Sequence, residues 1–251
     1  KLDECEQVLC IASTKKEAEK IFELLDGEAM YLSTNLCPAH RREIIREMKT
    51  RLRDGKPCRV VSTSIISVGV DIDFPVVYLQ YTGLDSLIQG AGRCNREGRQ
   101  SLQKSRAHIF WTKESKKSLF MRKEKQVTDM VRKKYNTKEM TEPSAIRTYF
   151  ENWYQSNEGN LDYQEIEKLA QSLSFAEIGK RFHLINDSTK SVFVPFDEKA
   201  RNIKEQLMMG NRSRQLMRAA GAYMIHVRYS KARGQSDFMK LLTQGQIEMF
   251  P

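Results

Sequence analysis

No GxxxxGK[ST] phosphate loop occurs anywhere in the 251 residues. The Gly-Lys pairs Gly55-Lys56 and Gly179-Lys180 lack both the upstream glycine and the following hydroxyl residue. Without such a loop the chain is not expected to cradle nucleotide phosphates or place magnesium by itself. Cysteine is scarce as well. Cys5, Cys10, Cys37, Cys58 and Cys94 are odd in number, form no CxxC pair and have no successor after Cys94. This argues against a disulfide framework and a structural zinc site, so no metal ligands are expected and a reducing, cytoplasmic setting is. No His-Asp doublet exists among His40, His108, His183 and His226. His108 and His226 lie in apolar runs and read as structural, and His40 has no acid-base partner. No uncharged apolar run approaches the roughly 18–20 residues of a membrane span, so no membrane partner is expected. The opening Lys-Leu-Asp-Glu-Cys-Glu is not a signal peptide. It begins with lysine, so the expectation is that a longer protein extends upstream.

What is present in excess is positive charge. The formal net charge is +10, and it is concentrated. Between Arg99 and Lys138 stand 13 Lys/Arg and 3 Asp/Glu, and the remainder is balanced. A stretch of this kind suits a polyanionic partner or, equally, a solvated helix face.

Residues 1–112 alternate between strand and helix signals. Val8–Ala12, Ala29–Leu32, Arg59–Thr63, Phe74–Leu79 and Ala107–Trp111 read as strands. Lys15–Leu25, Pro38–Arg53 and Asp85–Ala91 read as helices. Ser13 or Thr14 is the expected N-cap of the first, with Glu17 completing a capping box. Pro38 suits the first turn of the second, and Asp54-Gly55 closes it. Such alternation predicts a mostly parallel sheet with helices on both faces. A long basic helix is expected over Lys113–Tyr135, broken by Met140–Pro143. Beyond it, helices are expected at Ser144–Tyr154, Tyr163–Gln171, Phe175–Phe182, Asp197–Met209 and Arg212–Ala220. Strands are expected at Leu184–Asn186, Val192–Phe196 and Ala222–Arg228. This is an α+β pattern, giving three regions: 1–112, 113–142 and 143–251.

Two constellations carry chemistry. Gln89-Gly90-Ala91-Gly92-Arg93-Cys94-Asn95-Arg96 places Arg93 and Arg96 three apart, on one side of a helical turn. Paired guanidiniums can grip phosphate oxygens in a fork, and the glycines let backbone approach its neighbours. Some twenty residues earlier, the strand ending Ser62-Thr63-Ser64 leads through a short apolar turn to Gly69-Val70-Asp71-Ile72-Asp73. Hydroxyls at the carboxyl end of a parallel strand stand where open α/β sheets bind ligands, and they suit the phosphates of a nucleic-acid strand. Asp71 can accept from a sugar hydroxyl or pair with one of the arginines. Alone, each block also reads as ordinary capping or surface arginine. Trp111, Tyr149, Phe150, Trp153 and Tyr154 could stack bases, but the cluster around Ile146 favours core packing.

In order and spacing, Val8–Thr14, Ser62–Asp73 and Gln89–Arg96 resemble the fourth, fifth and sixth motifs of the second RecA-like motor domain of superfamily 2 helicases. The segments Leu32–Arg41, Gly69–Pro75 and Gly83–Gly98 resemble, more narrowly, the CRISPR-associated helicase-nuclease of type I systems. Phe175–Phe196 is more loosely similar to that family's C-terminal domain.

The resemblance implies a RecA-like sheet, a basic connector helix and a smaller α+β C-terminal domain. It places Arg93 and Arg96 at an ATP γ-phosphate and Gln89 near the nucleotide. It places Gly69 and Asp71 where nucleotide state is linked to strand grip. Ser13, Thr14, Ser33, Thr34, Thr63 and Ser64 match positions holding the backbone of single-stranded DNA. ATP with magnesium would lie at the interface with a first motor domain. The implied partners are single-stranded DNA, the N-terminal nuclease and first motor domain, and the crRNA-guided surveillance complex. The implied activity is 3′-to-5′ translocation, and the expectation is that the chain alone neither hydrolyses ATP nor cuts DNA. Two rivals stand beside it: half of a helicase outside CRISPR, and a non-catalytic binding module.

Overall fold

The computed structural model describes residues 2, 5–25, 27–101, 104–112, 122–162, 164–182 and 189–228. Five strands form one sheet: β1 (Gln7–Ala12), β2 (Met30–Leu32), β3 (Cys58–Thr63), β4 (Val76–Gln80) and β5 (Arg106–Phe110). Their order is β2-β3-β1-β4-β5, with every pair parallel. Three helices connect them: α1 (Lys15–Glu23), α2 (Pro38–Arg53) and α3 (Leu84–Ala91).

The alternation along β1 sorts these helices to two faces. Cys10 and Ala12 face α1, through Ala18, Ile21 and Phe22. Leu9 and Ile11 face the other way, in a larger core with Met48 of α2 and Leu87 of α3. The expected α/β architecture with helices on both faces is therefore present. α2 spans the residues expected of it, with Pro38 in its first turn and Gly55 at positive φ just after its end. Phe74 falls short of β4: it bridges Cys94 instead and so ties the entry of that strand to the arginine block.

The basic helix is described from Arg122, as α4 (Arg122–Lys134); its expected beginning at 113–121 lies outside the described residues. A 3₁₀ turn at Glu139–Thr141 precedes α5 (Pro143–Asn157). Val127 and Val131 of α4 meet Ala145 and Tyr149 of α5, and both helices share Leu84 of α3 in their core. Tyr149 is thus core, as expected of the aromatic cluster, whereas Phe150 and Tyr154 on the same helix are exposed.

Two short helices follow, α6 (Ile166–Gln171) and α7 (Phe175–Arg181). The expected strand Leu184–Asn186 lies outside the described residues, as do Tyr163 and His183. β6 (Thr189–Phe193) pairs antiparallel with β7 (Met224–Arg228). Between them lie α8 (Glu198–Met208), capped by Asp197, and α9 (Arg214–Ala220), capped by Ser213. Their core includes Cys37 and Ala39, so this α+β lobe is built against the N-terminal turn of α2. His40 adds a ring stack on Phe196, with centroids 4.3 Å apart.

Candidate functional site

Every strand of a parallel sheet ends on the same edge, and here that edge is lined with hydroxyls. Across the sheet it runs from Ser33-Thr34 after β2, through Thr63-Ser64 and Ser13-Thr14, to Gln80 and then Thr112 beyond β5. Adjacent strands stand about 4.8 Å apart, so the row extends roughly 20 Å.

These hydroxyls are not equivalent. Thr14 is the N-cap of α1: its Oγ1 accepts from Glu17 N at 3.2 Å and donates to the Glu17 carboxylate at 3.0 Å. Ser33 Oγ accepts from Asn35 N at 3.1 Å in a local turn. Ser33 is fully buried, whereas Thr34 and Ser64 are exposed. Ser13 Oγ is buried with no hydrogen-bond partner among the described residues. It borders a small, mostly apolar cleft lined by Ile11, Leu79 and Leu87, with Ser64, Ser67 and Gln89 among its polar groups.

One organising residue escaped the sequence reading. Gln80, only 2% exposed at the end of an apolar strand, accepts from Ser13 N at 2.7 Å through Oε1. Its Nε2 donates to Glu17 Oε1 at 2.6 Å, and Thr112 Oγ1 donates to the same oxygen at 3.1 Å. A buried amide must satisfy both its ends, and this one does so by tying together the ends of β1, β4 and β5. The one available signal was a polar residue closing a hydrophobic strand.

The arginine block packs beneath the turn that follows β3. Arg93 is 8% exposed, and its Nη2 donates to the Ser67 carbonyl at 2.5 Å. Its Nε and Nη1 are buried and have no hydrogen-bond partner among the described residues. Burial pushes the Arg93 guanidinium below its ordinary pKa; Arg96 adds to that shift and Asp71 opposes it. Arg96 is exposed and pairs with Asp71 at 3.2 Å. Of the two roles open to Asp71, pairing with an arginine is the one seen. Gly69 has φ +72, a conformation that favours glycine, and turns the chain just before Asp71.

Asp73 completes the join. Its Oδ1 accepts from Arg96 N at 2.7 Å and its Oδ2 from Glu97 N at 3.3 Å. Asn95, at φ +48, exchanges side-chain bonds with the Gln100 backbone at 2.8 and 2.9 Å and closes the next loop. Gln89 lies on the exposed face of α3, one helical turn before Arg93.

The structure therefore brings Arg93, Arg96, Gly69 and Asp71 into one cluster. Ser13, Thr14, Thr63 and Ser64 stand beside it on the central strands, and Ser33-Thr34 at the far end, after the edge strand β2. Buried guanidinium nitrogens without acceptors fit an anion such as a phosphate group.

Comparison with known proteins places the chain among relatives of one family. Residues 4–99 match the family described as CRISPR-associated nuclease/helicase Cas3, C-terminal. The Cas3 of Methanothermobacter thermautotrophicus is 26% identical over 185 residues, covering 66% of this chain and 22% of that protein. The Cas3 of Haloferax volcanii is 37% identical over 65 residues, covering 26% of this chain and 7% of that protein. The chain thus spans about a fifth or less of these curated relatives. Among solved structures, T. fusca Cas3-ATP superposes with a TM-score of 0.56 at 15% identity, over 91% of this chain and 33% of that one. A chain of a CRISPR RNA-guided surveillance complex, pre-nicking, does so with a TM-score of 0.55 at 16% identity, over 89% and 34%. At that identity the structures speak for the fold.

Proposed function

From a chain related to the C-terminal part of the CRISPR-associated helicase-nuclease Cas3, we propose the second half of an ATP-driven motor on single-stranded DNA. The observation that carries the reading is the join between its two blocks. Arg93 and Arg96 are bonded to the loop that continues the hydroxyl-bearing end of β3. A pull on the arginines is therefore felt at Thr63 and Ser64.

The nucleotide, when bound, supplies a hydrolysable phosphoanhydride and, with magnesium, lies between this chain, as one wall, and a first motor domain carrying the phosphate loop. The exposed side chain of Arg96, in a surface ion pair worth about 0–1 kcal/mol, exchanges Asp71 for phosphate oxygens at little cost. Arg93 keeps its Nη2 on Ser67 and turns its unpartnered nitrogens toward the same charge. Gln89 orients polar groups at the rim. Gly69 and Asp71 move with Arg96, and the exposed hydroxyls of Thr34 and Ser64 hold DNA phosphates. Each closing and opening of the two walls shifts that grip by one step in the 3′-to-5′ direction. Interference then requires the nuclease domain and the crRNA-guided surveillance complex as partners, in the cytoplasm.

The test is single-stranded-DNA-stimulated ATP hydrolysis with and without a separately expressed N-terminal half of a Cas3 protein. Activity only on mixing, lost with Arg96→Ala, is the expected result. Robust hydrolysis by this chain alone overturns it. DNA or surveillance-complex binding with no hydrolysis on mixing makes the chain a binding module instead. Preference for RNA over DNA would point to a helicase outside CRISPR.

A further inference from the structure

The hydroxyl row ends on an aromatic ring. Trp111, one residue past β5, remains 46% exposed although indole is among the most readily buried surfaces a protein has. Its underside is built. Trp111 lies on Tyr81 with centroids 4.9 Å apart and planes 32° apart. Tyr81 is only 5% exposed and cannot swing away: its hydroxyl donates to Asp129 of α4 at 2.6 Å, and its backbone N to Phe110 O at 2.9 Å. Arg132, paired with the same Asp129 at 3.4 Å, stands 5.9 Å from the Tyr81 ring centre. α4 carries six Lys/Arg against two acidic residues, a strongly cationic helix beside an exposed ring. The next residue, Thr112, belongs to the Gln80–Glu17 network that fixes Ser13 and Thr14.

We infer that Trp111 is a stacking platform for a base of single-stranded DNA leaving the hydroxyl row toward α4. The inference rests on the strand-grip reading above and adds a recognition element to it. A protein-docking surface would favour an apolar centre depleted of charge, whereas cations beside a flat ring match the phosphates and bases of a nucleic acid. Every base has a π-face, so the platform tolerates any sequence, as a translocating strand demands.

Trp111 and Trp153 are the two tryptophans of the chain, so Trp153→Phe leaves Trp111 as the sole indole reporter. Oligothymidylate titrated into that variant is expected to quench its emission, and an abasic strand of equal length to bind without comparable quenching. Trp111→Ala is expected to weaken oligothymidylate binding about tenfold, the order of one lost stacking contact, and Trp111→Phe to retain most of it. Binding without quenching, or a Trp111→Ala variant that binds as well as the parent, overturns the platform. If Thr34→Ala or Ser64→Ala still weakens binding in that case, the strand grip survives it. No binding of single-stranded DNA by the chain overturns both. Should Trp111→Ala fail to fold, quenching and the phenylalanine variant decide.

Discussion

Arg93 and Ser67, 26 residues apart, meet through a 2.5 Å hydrogen bond from guanidinium to carbonyl. That contact makes the arginine block and the turn after β3 one body. The donor is a buried fork with two further nitrogens that lack acceptors among the described residues, so the shape of the group matters as well as its charge. Lysine keeps the charge but presents a single ammonium point in place of a planar fork. In the reconstituted motor, Arg93→Lys should therefore lower kcat nearly as far as Arg93→Ala, by about 10³-fold or more if the group acts as an arginine finger. Steady-state ATPase kinetics check this. A lysine variant with near-parental kcat would mean that charge suffices and the Ser67 contact is incidental.

Gly90 shows why the motif needs its glycine. A Cβ there would stand 2.5 Å from Leu79 Cδ2 and 3.4 Å from Ile11 Cδ1, in the core between α3 and the sheet. Overpacking of this kind costs about 1–3 kcal/mol. Alanine returns up to about 1 kcal/mol of helix propensity. Gly90→Ala should lower stability by about 1–2 kcal/mol in urea unfolding. Leu79→Val in the same chain should recover part of it, because the two sites touch. Equal stability of Gly90→Ala and parent would show that α3 sits less tightly than this.

The elements legible in the sequence are those fixed by local periodicity. Pro38–Arg53 was bounded by its proline and its Asp-Gly stop, and α1 by Thr14 and Glu17. The arginine block and hydroxyl strand ends were legible because residue type and spacing declare them. What stayed hidden depends on contacts distant in the chain. Gln80 falls just past the expected strand Phe74–Leu79 and has no visible task until Ser13, 67 residues earlier, is brought beside it. Cys37 and Ala39 read as part of one helix start, yet they lie in the core of a lobe formed by residues 189–228. Asp73 is visible within its motif, but its partners Arg96 and Glu97 lie beyond β4 and α3 in the chain. Trp111 reads as core from its grouping with the aromatics around Ile146, yet one residue past β5 it is half in water.

His40 provides a pH-dependent check on how that lobe is seated. Burial holds its imidazole below the ordinary value of 6.5, against a smaller opposing effect of Glu43. The unfolded chain therefore binds more protons between the two pKa values, and stability rises with pH there. The contribution of the neutral ring on Phe196 is complete above about pH 6.5 and is lost as pH falls through the lowered value. Thermal midpoints measured from about pH 8 to about pH 5 should fall more steeply for the parent than for His40→Phe, which keeps the stack and cannot charge. Parallel slopes would remove His40 from the seating of the lobe.

Asp73 decides whether Arg96 is placed or merely tethered. The Asp71 pair is exposed and yields easily, but the two Asp73 bonds hold the backbone from which the Arg96 side chain springs. Hydrogen bonds to a charged acceptor contribute about 1.5–3 kcal/mol, and partial exposure places these at the low end. Asp73→Ala removes both acceptors and should lower stability by about 1–2 kcal/mol. The diagnostic readout lies elsewhere. If Asp73 positions Arg96 for phosphate, the alanine variant mixed with a first motor half should lose about tenfold or more in kcat, while its affinity for single-stranded DNA stays within about twofold. Asp73→Asn keeps one carbonyl acceptor and should fall between. A variant that loses stability alone, with kcat intact, would make Asp73 a brace for the turn, and the Asp71 pair would then carry the orientation of Arg96.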